Sequence, residues 1–114
     1  MIVAVERWFL RPEFLADAVR IMQEMDDFVG PNAHAHPGWV AHAKYYQSHA
    51  DPLQVMLVYP WASVELHRDL LAQEVALIAE FEPRYFAKGR EVFYLHELNV
   101  WVEGADGGLH PVPQ

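Results

Sequence analysis

The sequence predicts an α+β fold of the order β-α-β-β-α-β, the split βαβ arrangement, and three observations carry that reading. Two extended runs, Pro37 to Ser48 and Leu53 to Tyr59, flank the polar turn Ser48 to Pro52 and make a β-hairpin. Trp61-Ala62-Ser63 then opens a helix, so the second hairpin strand hands over to helical structure at Trp61. A strand and a helix stand before the hairpin, and another strand stands after the second helix. Right-handed crossovers in this order place both helices on one face of an antiparallel four-stranded sheet, a ferredoxin-like architecture.

The first strand is expected over residues 2 to 10. Both alternating sets, Ile2/Ala4/Trp8/Leu10 and Val3/Val5/Phe9, are apolar, as in a strand covered on both sides. Glu6 and Arg7 are its only charges and are expected near an edge or paired locally. Pro12 suits a first helical position and Glu13 the positive end of a helix dipole. Phe14, Ala18, Ile21, Met22, Met25, Phe28 and Val29 then recur at helical period, so helix one lies on the sheet until Gly30-Pro31-Asn32 stops it.

In the hairpin, Trp39, Ala41, Ala43 and Tyr45 share one face, and Val40, His42, Lys44 and Tyr46 share the other. The alanines leave room for a pocket on the first face, while the mixed polar and aromatic second face fits an interface. Leu53 to Tyr59 reads as a buried strand, with pairing expected to end about Pro60. Ser63 is an expected N-cap and Glu65 adds charge to the first turn. Val64, His67, Leu71, Val75 and Ile78 give helix two its stripe, and Pro83 is expected to end it. Pro83 to Arg90 reads as a loop and Glu91 to Val102 as a long fourth strand. The domain therefore covers residues 1–103, and 104–114, containing Gly107-Gly108, is a C-terminal tail expected to be a loose arm or a strap across a partner.

Composition narrows the function. With 114 residues the chain is one domain, and 53% hydrophobic residues make it globular. Sixteen acidic against eight basic residues, a net charge of -8, oppose nucleic acid or an anionic membrane as partner. No apolar run approaches the roughly 18 residues that a membrane span needs. Met1 to Val5 lacks a basic flank and a cleavage site, so it reads as a strand and not as a signal peptide. The absence of cysteine fits a cytoplasmic protein. His34 and His36 stand two apart in a loop, without the converging geometry of a helical pair or a third ligand, so the loop reads as exposed and free of metal. No Gly-rich phosphate loop follows a strand, and no organic cofactor is expected. Bulky apolar residues on both faces of every strand, with helices on only one, imply a homodimer through the bare sheet face.

The spacing of Pro37-Gly38, Asp51-Pro52 and Trp61-Ala62-Ser63 resembles the antibiotic biosynthesis monooxygenase-like superfamily of dimeric α/β barrels, from Met1 to about Val102. In the quinone-forming monooxygenases of that group, a Trp at the strand-to-helix junction is joined by an Asn four residues before it, a Tyr six after it and a His in the preceding strand. Here Trp61 matches, while Leu57, His67 and Tyr45 occupy those three places, so His and Tyr are exchanged and the amide is lost. The haem-degrading branch uses an Asn, a Trp and a His where this chain has Arg7, Leu70 and Glu80, and haem degradation is set aside.

The resemblance implies a cofactor-independent monooxygenase, or a related isomerase or cyclase, acting on a small aromatic or polyketide-like substrate. Such chemistry needs a base, an aromatic wall and exclusion of water. His67 is the expected base, Tyr45 the hydrogen-bond partner of a phenolate, and Trp61 and Trp39 stacking groups, with Leu57 also lining the substrate site. The alternative is a non-enzymatic dimeric barrel that binds a hydrophobic small molecule or a partner, which the loss of the amide at Leu57 favours.

Overall fold

A computed structural model describes residues 1–111. The expected order of elements is present: β1 (Ile2–Phe9), α1 (Ala18–His34), β2 (Lys44–Gln47), β3 (Gln54–Trp61), α2 (Val64–Ile78), α3 (Phe81–Tyr85) and β4 (Glu91–Leu95). The sheet order is β2-β3-β1-β4 with every pair antiparallel. Register pairs Glu6 with Leu57 and Val92, and Tyr45 with Leu57. Because side chains alternate, Ala4, Glu6 and Trp8 share a face with Val55, Leu57, Tyr59 and Trp61, and both long helices pack there to form the core. The sheet is open in the single chain, and closure into a barrel would require a second copy.

Two local devices position the strand-to-helix junction. Ser63 caps α2, its Oγ accepting the Leu66 N–H at 3.2 Å. Gly38 lies so close to the junction that a Cβ there would fall 2.5 Å from the Leu66 Cβ and 2.9 Å from the Trp61 ring. Its carbonyl accepts the Ala62 N–H at 2.9 Å, which pins the loop before β2 to the end of β3.

Several expected boundaries move. Helix one begins as a 3-10 turn over Pro12–Asp17 and continues through Pro31 to His34, where Ala35 N–H bonds the Pro31 carbonyl. Pro31 gives up one helix hydrogen bond, but Gly30 and Ala33 are buried on the core side and the packing carries the helix past it. Phe28, placed on the stripe by spacing, is exposed. The first hairpin strand is short, since only Lys44–Gln47 pairs, with an isolated bridge between Trp39 and Trp61. Pairing on β3 passes Pro60 to reach Trp61. Ala62 N–H points to the β2 side, so by alternation the Pro60 nitrogen does too, and β2 has already ended at Lys44.

In α2 the buried stripe is His67, Leu70, Glu74 and Ile78, so Glu74 is 2% exposed and Val75 is 65% exposed. The helix stops at Ile78, and α3 then includes Pro83 instead of ending there. Strand β4 ends at Leu95, and β5 (Trp101–Glu103) pairs with β6 (Leu109–Pro111) as a separate hairpin in place of one long strand and a loose tail. Gly107, at φ 80°, supplies the left-handed residue that turn needs.

Candidate active site

The core on the helix side is not wholly apolar, because a charged cluster sits at its centre. Glu6, expected near an edge or paired locally, lies on a central strand and is buried. Its Oε1 accepts from Arg90 Nη1 at 2.7 Å, and its Oε2 accepts from the Tyr59 hydroxyl at 2.7 Å and from His67 Nε2 at 3.0 Å. Arg90 Nη1 also donates to Glu74 Oε1 at 2.8 Å. Arg90 is itself held by its backbone N–H, which donates to Glu82 Oε2, a carboxylate that also accepts the Trp8 indole N–H at 3.1 Å.

The tautomer of His67 follows from its partners. An ionised Glu6 only accepts, so Nε2 carries a proton; in the neutral ring Nδ1 then accepts the Tyr94 hydroxyl, 2.8 Å away. Edge-on rings of Trp61, Tyr59 and Tyr94, with centroids 5.2 to 5.8 Å from that of His67, fix the imidazole in place.

Electrostatics set the two carboxylates apart. Burial pushes Glu6 up, but its hydrogen bond to His67 and the charge of Arg90 outweigh this and hold it below the usual range. Glu74 is pushed up to about 7 by burial and then by the charge of Glu6, against Arg90. Tyr59 is raised by burial and by Glu6, and Tyr45 by burial and by its bond to Asp26, so both phenols stay protonated near neutral pH.

Next to this cluster lies a cavity of about 140 Å³ between the sheet and the helices. It is large enough for one aromatic ring, since an apolar cavity of about 150 Å³ accepts benzene. Glu6, Glu74 and Arg90 form one polar wall, Asp26, His34 and His42 add further polar groups, and Trp8, Trp39, Ala43, Tyr45, Leu57 and Tyr59 form much of the rest.

The structure therefore brings together Tyr45, Trp39 and Leu57, all on the cavity wall, and sets His67 and Trp61 behind it. Tyr45 shares the strand face of Leu57 and Trp61, and its hydroxyl donates to Asp26 Oδ1 at 2.6 Å on α1. His67 and Trp61 are fully buried, and Glu6 and Tyr59 stand at the cavity in their place. The loop after α1 is not an exposed one. His36 is buried, its Nδ1 accepts the Gly38 N–H at 3.0 Å, and its Nε2 therefore donates to Asp69 Oδ2 at 2.7 Å. His34 packs edge-on against His42 and tilts against Trp39. Among the described residues no group of three or more His, Cys, Asp or Glu side chains is arranged to hold a metal ion.

The sequence reading missed Glu6, Glu74 and Arg90. One signal was present: shifting the helix-two stripe to His67, Leu70, Glu74 and Ile78 places a carboxylate on the buried face.

Neither protein-family models nor curated proteins match this sequence. Solved structures do. A Bordetella bronchiseptica protein named as a candidate antibiotic biosynthesis monooxygenase is 18% identical, over 85% of this chain and 96% of its own, with a TM-score of 0.67. The protein Rv0793 of Mycobacterium tuberculosis is 17% identical over 87% and 96% of the two chains, with a TM-score of 0.61. A further structure, named antibiotic biosynthesis monooxygenase, is 14% identical over 86% and 99%, with a TM-score of 0.56. The chain shares the ferredoxin-like fold of these structures.

Proposed function

We propose that the cavity binds a small planar phenol or enolisable aromatic ketone, and that the chain is a cofactor-independent monooxygenase, or a related isomerase or cyclase, for such a substrate. One observation carries this reading: a pair of buried carboxylates sharing one arginine forms a wall of a cavity that Trp8, Trp39, Tyr45 and Tyr59 also line. Proton removal at that wall yields an enolate or phenolate held away from water, the species that dioxygen attacks. For an aromatic methylene the net change is replacement of two hydrogens by a carbonyl oxygen, with the second oxygen atom leaving as water.

The side chains divide the work. Trp39 and Leu57 shape the ring site, and Tyr45, whose O–H is donated to Asp26, keeps lone pairs on its oxygen that accept a substrate hydroxyl. His67 acts from behind the wall by holding Glu6 in place, and Trp61 packs on His67. A second copy of the chain covers the open sheet face, where Phe93 and Leu95 are 39% and 49% exposed beside Val3 and Val5, and completes a dimeric barrel. The cytoplasm is the compartment that a cysteine-free chain favours. No helix among the described residues is long and apolar enough to cross a membrane.

The test is oxygen uptake by the purified protein, without added metal or flavin, over a panel of single-ring phenols and hydroquinones. Uptake matched to quinone formation is expected. A panel in which nothing is consumed and nothing binds overturns the reading.

A further inference from the structure

The two carboxylates at the cavity wall are held very differently. Glu6 uses both oxygens, with Arg90 on Oε1 and both Tyr59 and His67 on Oε2. Glu74 is held once, through Oε1 by Arg90, and its Oε2 has no hydrogen-bond partner among the described residues. That oxygen is not one of the sealed unpartnered atoms of the core, so it keeps some accessible surface, and Glu74 lines the cavity.

We infer that Glu74 is the catalytic base of this cavity, its Oε2 taking the proton from an enolisable or phenolic ligand while Glu6 stays ionised and holds Arg90, Tyr59 and His67 in place. This rests on the reading of the cavity as a proton-abstraction site. A base needs a free lone pair within reach of the ligand, and Glu6 has committed its oxygens to three donors. His67 is excluded by the same test, because both ring nitrogens are engaged and the ring does not reach the cavity.

The charge balance favours the step. The C–H or O–H bond of the ligand breaks, the proton goes to Glu74 Oε2, and the electron pair stays on the ligand as an enolate or phenolate. One negative charge leaves Glu74 as another appears on the ligand, so the number of buried charges is unchanged. Arg90, already on the cavity wall, is then free of Glu74's charge and faces the new anion. Burial and Glu6 also tune Glu74 to about 7, where a base works at neutral pH. The ionisable groups facing it are Glu6 from β1, Tyr59 from β3 and Arg90 from the start of β4, with Asp26 and His34 of α1, and His42 and Tyr45 beside β2, lining the same cavity.

The experiment follows α-proton exchange of 2-indanone in D₂O by proton NMR, with the full chain between pH 5 and 9. The wild type should accelerate exchange over buffer, with a rate that rises through pH about 7. Glu74→Gln should lose roughly a hundredfold or more while binding the ketone equally well, the scale of a general base. Glu74→Asp keeps the ion pair but withdraws the carboxylate; it should lose at least about tenfold and decides the matter if the amide variant does not fold. Exchange by Glu74→Gln, or by Glu74→Asp in that case, within a few-fold of wild type overturns the assignment to Glu74 and leaves the site reading standing. No acceleration by the wild type overturns the reading of the cavity itself, and this inference with it.

Discussion

The two faces of the sheet look alike in sequence and differ completely in structure. On β1 the even residues point into the core, and among them Glu6 sits inside a lattice of charge-assisted hydrogen bonds. The odd residues, one step away, point to the open side, where Arg7 reaches Glu91 at 3.4 Å and lies over the Phe9 and Phe93 rings. A charge on the covered face must be fully partnered, while a charge on the open face needs little. Conversely, apolar residues on the covered face are buried within the chain, while on the open face Phe93 and Leu95 stay exposed.

The sharpest way to break this contrast is Glu6→Leu. It leaves His67 Nε2 and the Tyr59 hydroxyl without an acceptor and removes one of Arg90's two carboxylates, so about 3–5 kcal/mol of stability should be lost in urea unfolding. Arg7→Met, one residue along, should cost less than about 1 kcal/mol. Equal losses would mean that the two faces do not differ as described.

Next in size is a pH effect on the covered face. The folded chain holds Glu74's carboxyl up to about 7 against an ordinary 4.5, so between those values it binds a proton that the unfolded chain has released. Stability therefore falls as pH rises through that window and levels off above it, by about 3 kcal/mol at full size. Glu6 acts in the opposite direction and below it, since its lowered carboxyl adds stability that is lost only when pH falls through its folded value. Urea unfolding at pH 5 and pH 8, at fixed protein concentration, should show wild type losing this amount relative to Glu74→Gln; parallel behaviour would contradict it.

On the open face, Phe93→Lys puts a second cation beside Arg7 and removes an exposed ring. Dimer affinity should fall by about 2 kcal/mol while the monomer stays folded. Light scattering is the check, and a wild type that is already a 13.2 kDa monomer at micromolar concentration would end the proposed dimer. Smallest is His67→Gln, which should cost about 1 kcal/mol from its weakened buried hydrogen bonds. As His67 orients Glu6, the same change should lower turnover without changing ligand affinity; a turnover equal to wild type would leave it a packing residue.

The order of elements was readable because it rests on local signals: the Ser48 to Pro52 turn, the Ser63 cap, and the period of Ile21, Met22, Met25 and Val29. Gly38 was readable as part of a motif, though its reason, contact with Leu66 and Trp61, lies in tertiary packing. The charged cluster was not readable, because its members have no local signature. Arg90 lies 84 residues from Glu6 and 16 from Glu74, and only the β1–β4 register and the phase of α2 bring them together. Val75 made the wrong helix phase attractive, and His96 to Val100 looked extended without pairing partners.

The central claim is that the ligand site is the cavity on the covered face. A titration of the ¹⁵N-labelled protein with 4-nitrophenol tests it most directly, with Ala43→Phe as the variant that fills the cavity from its wall. The account predicts shifts confined to the amides around Trp39, Ala43, Leu57, Tyr59 and Glu74, and their loss in Ala43→Phe. Shifts at Val5, Val58, Phe93 and Leu95 that persist in that variant would contradict it.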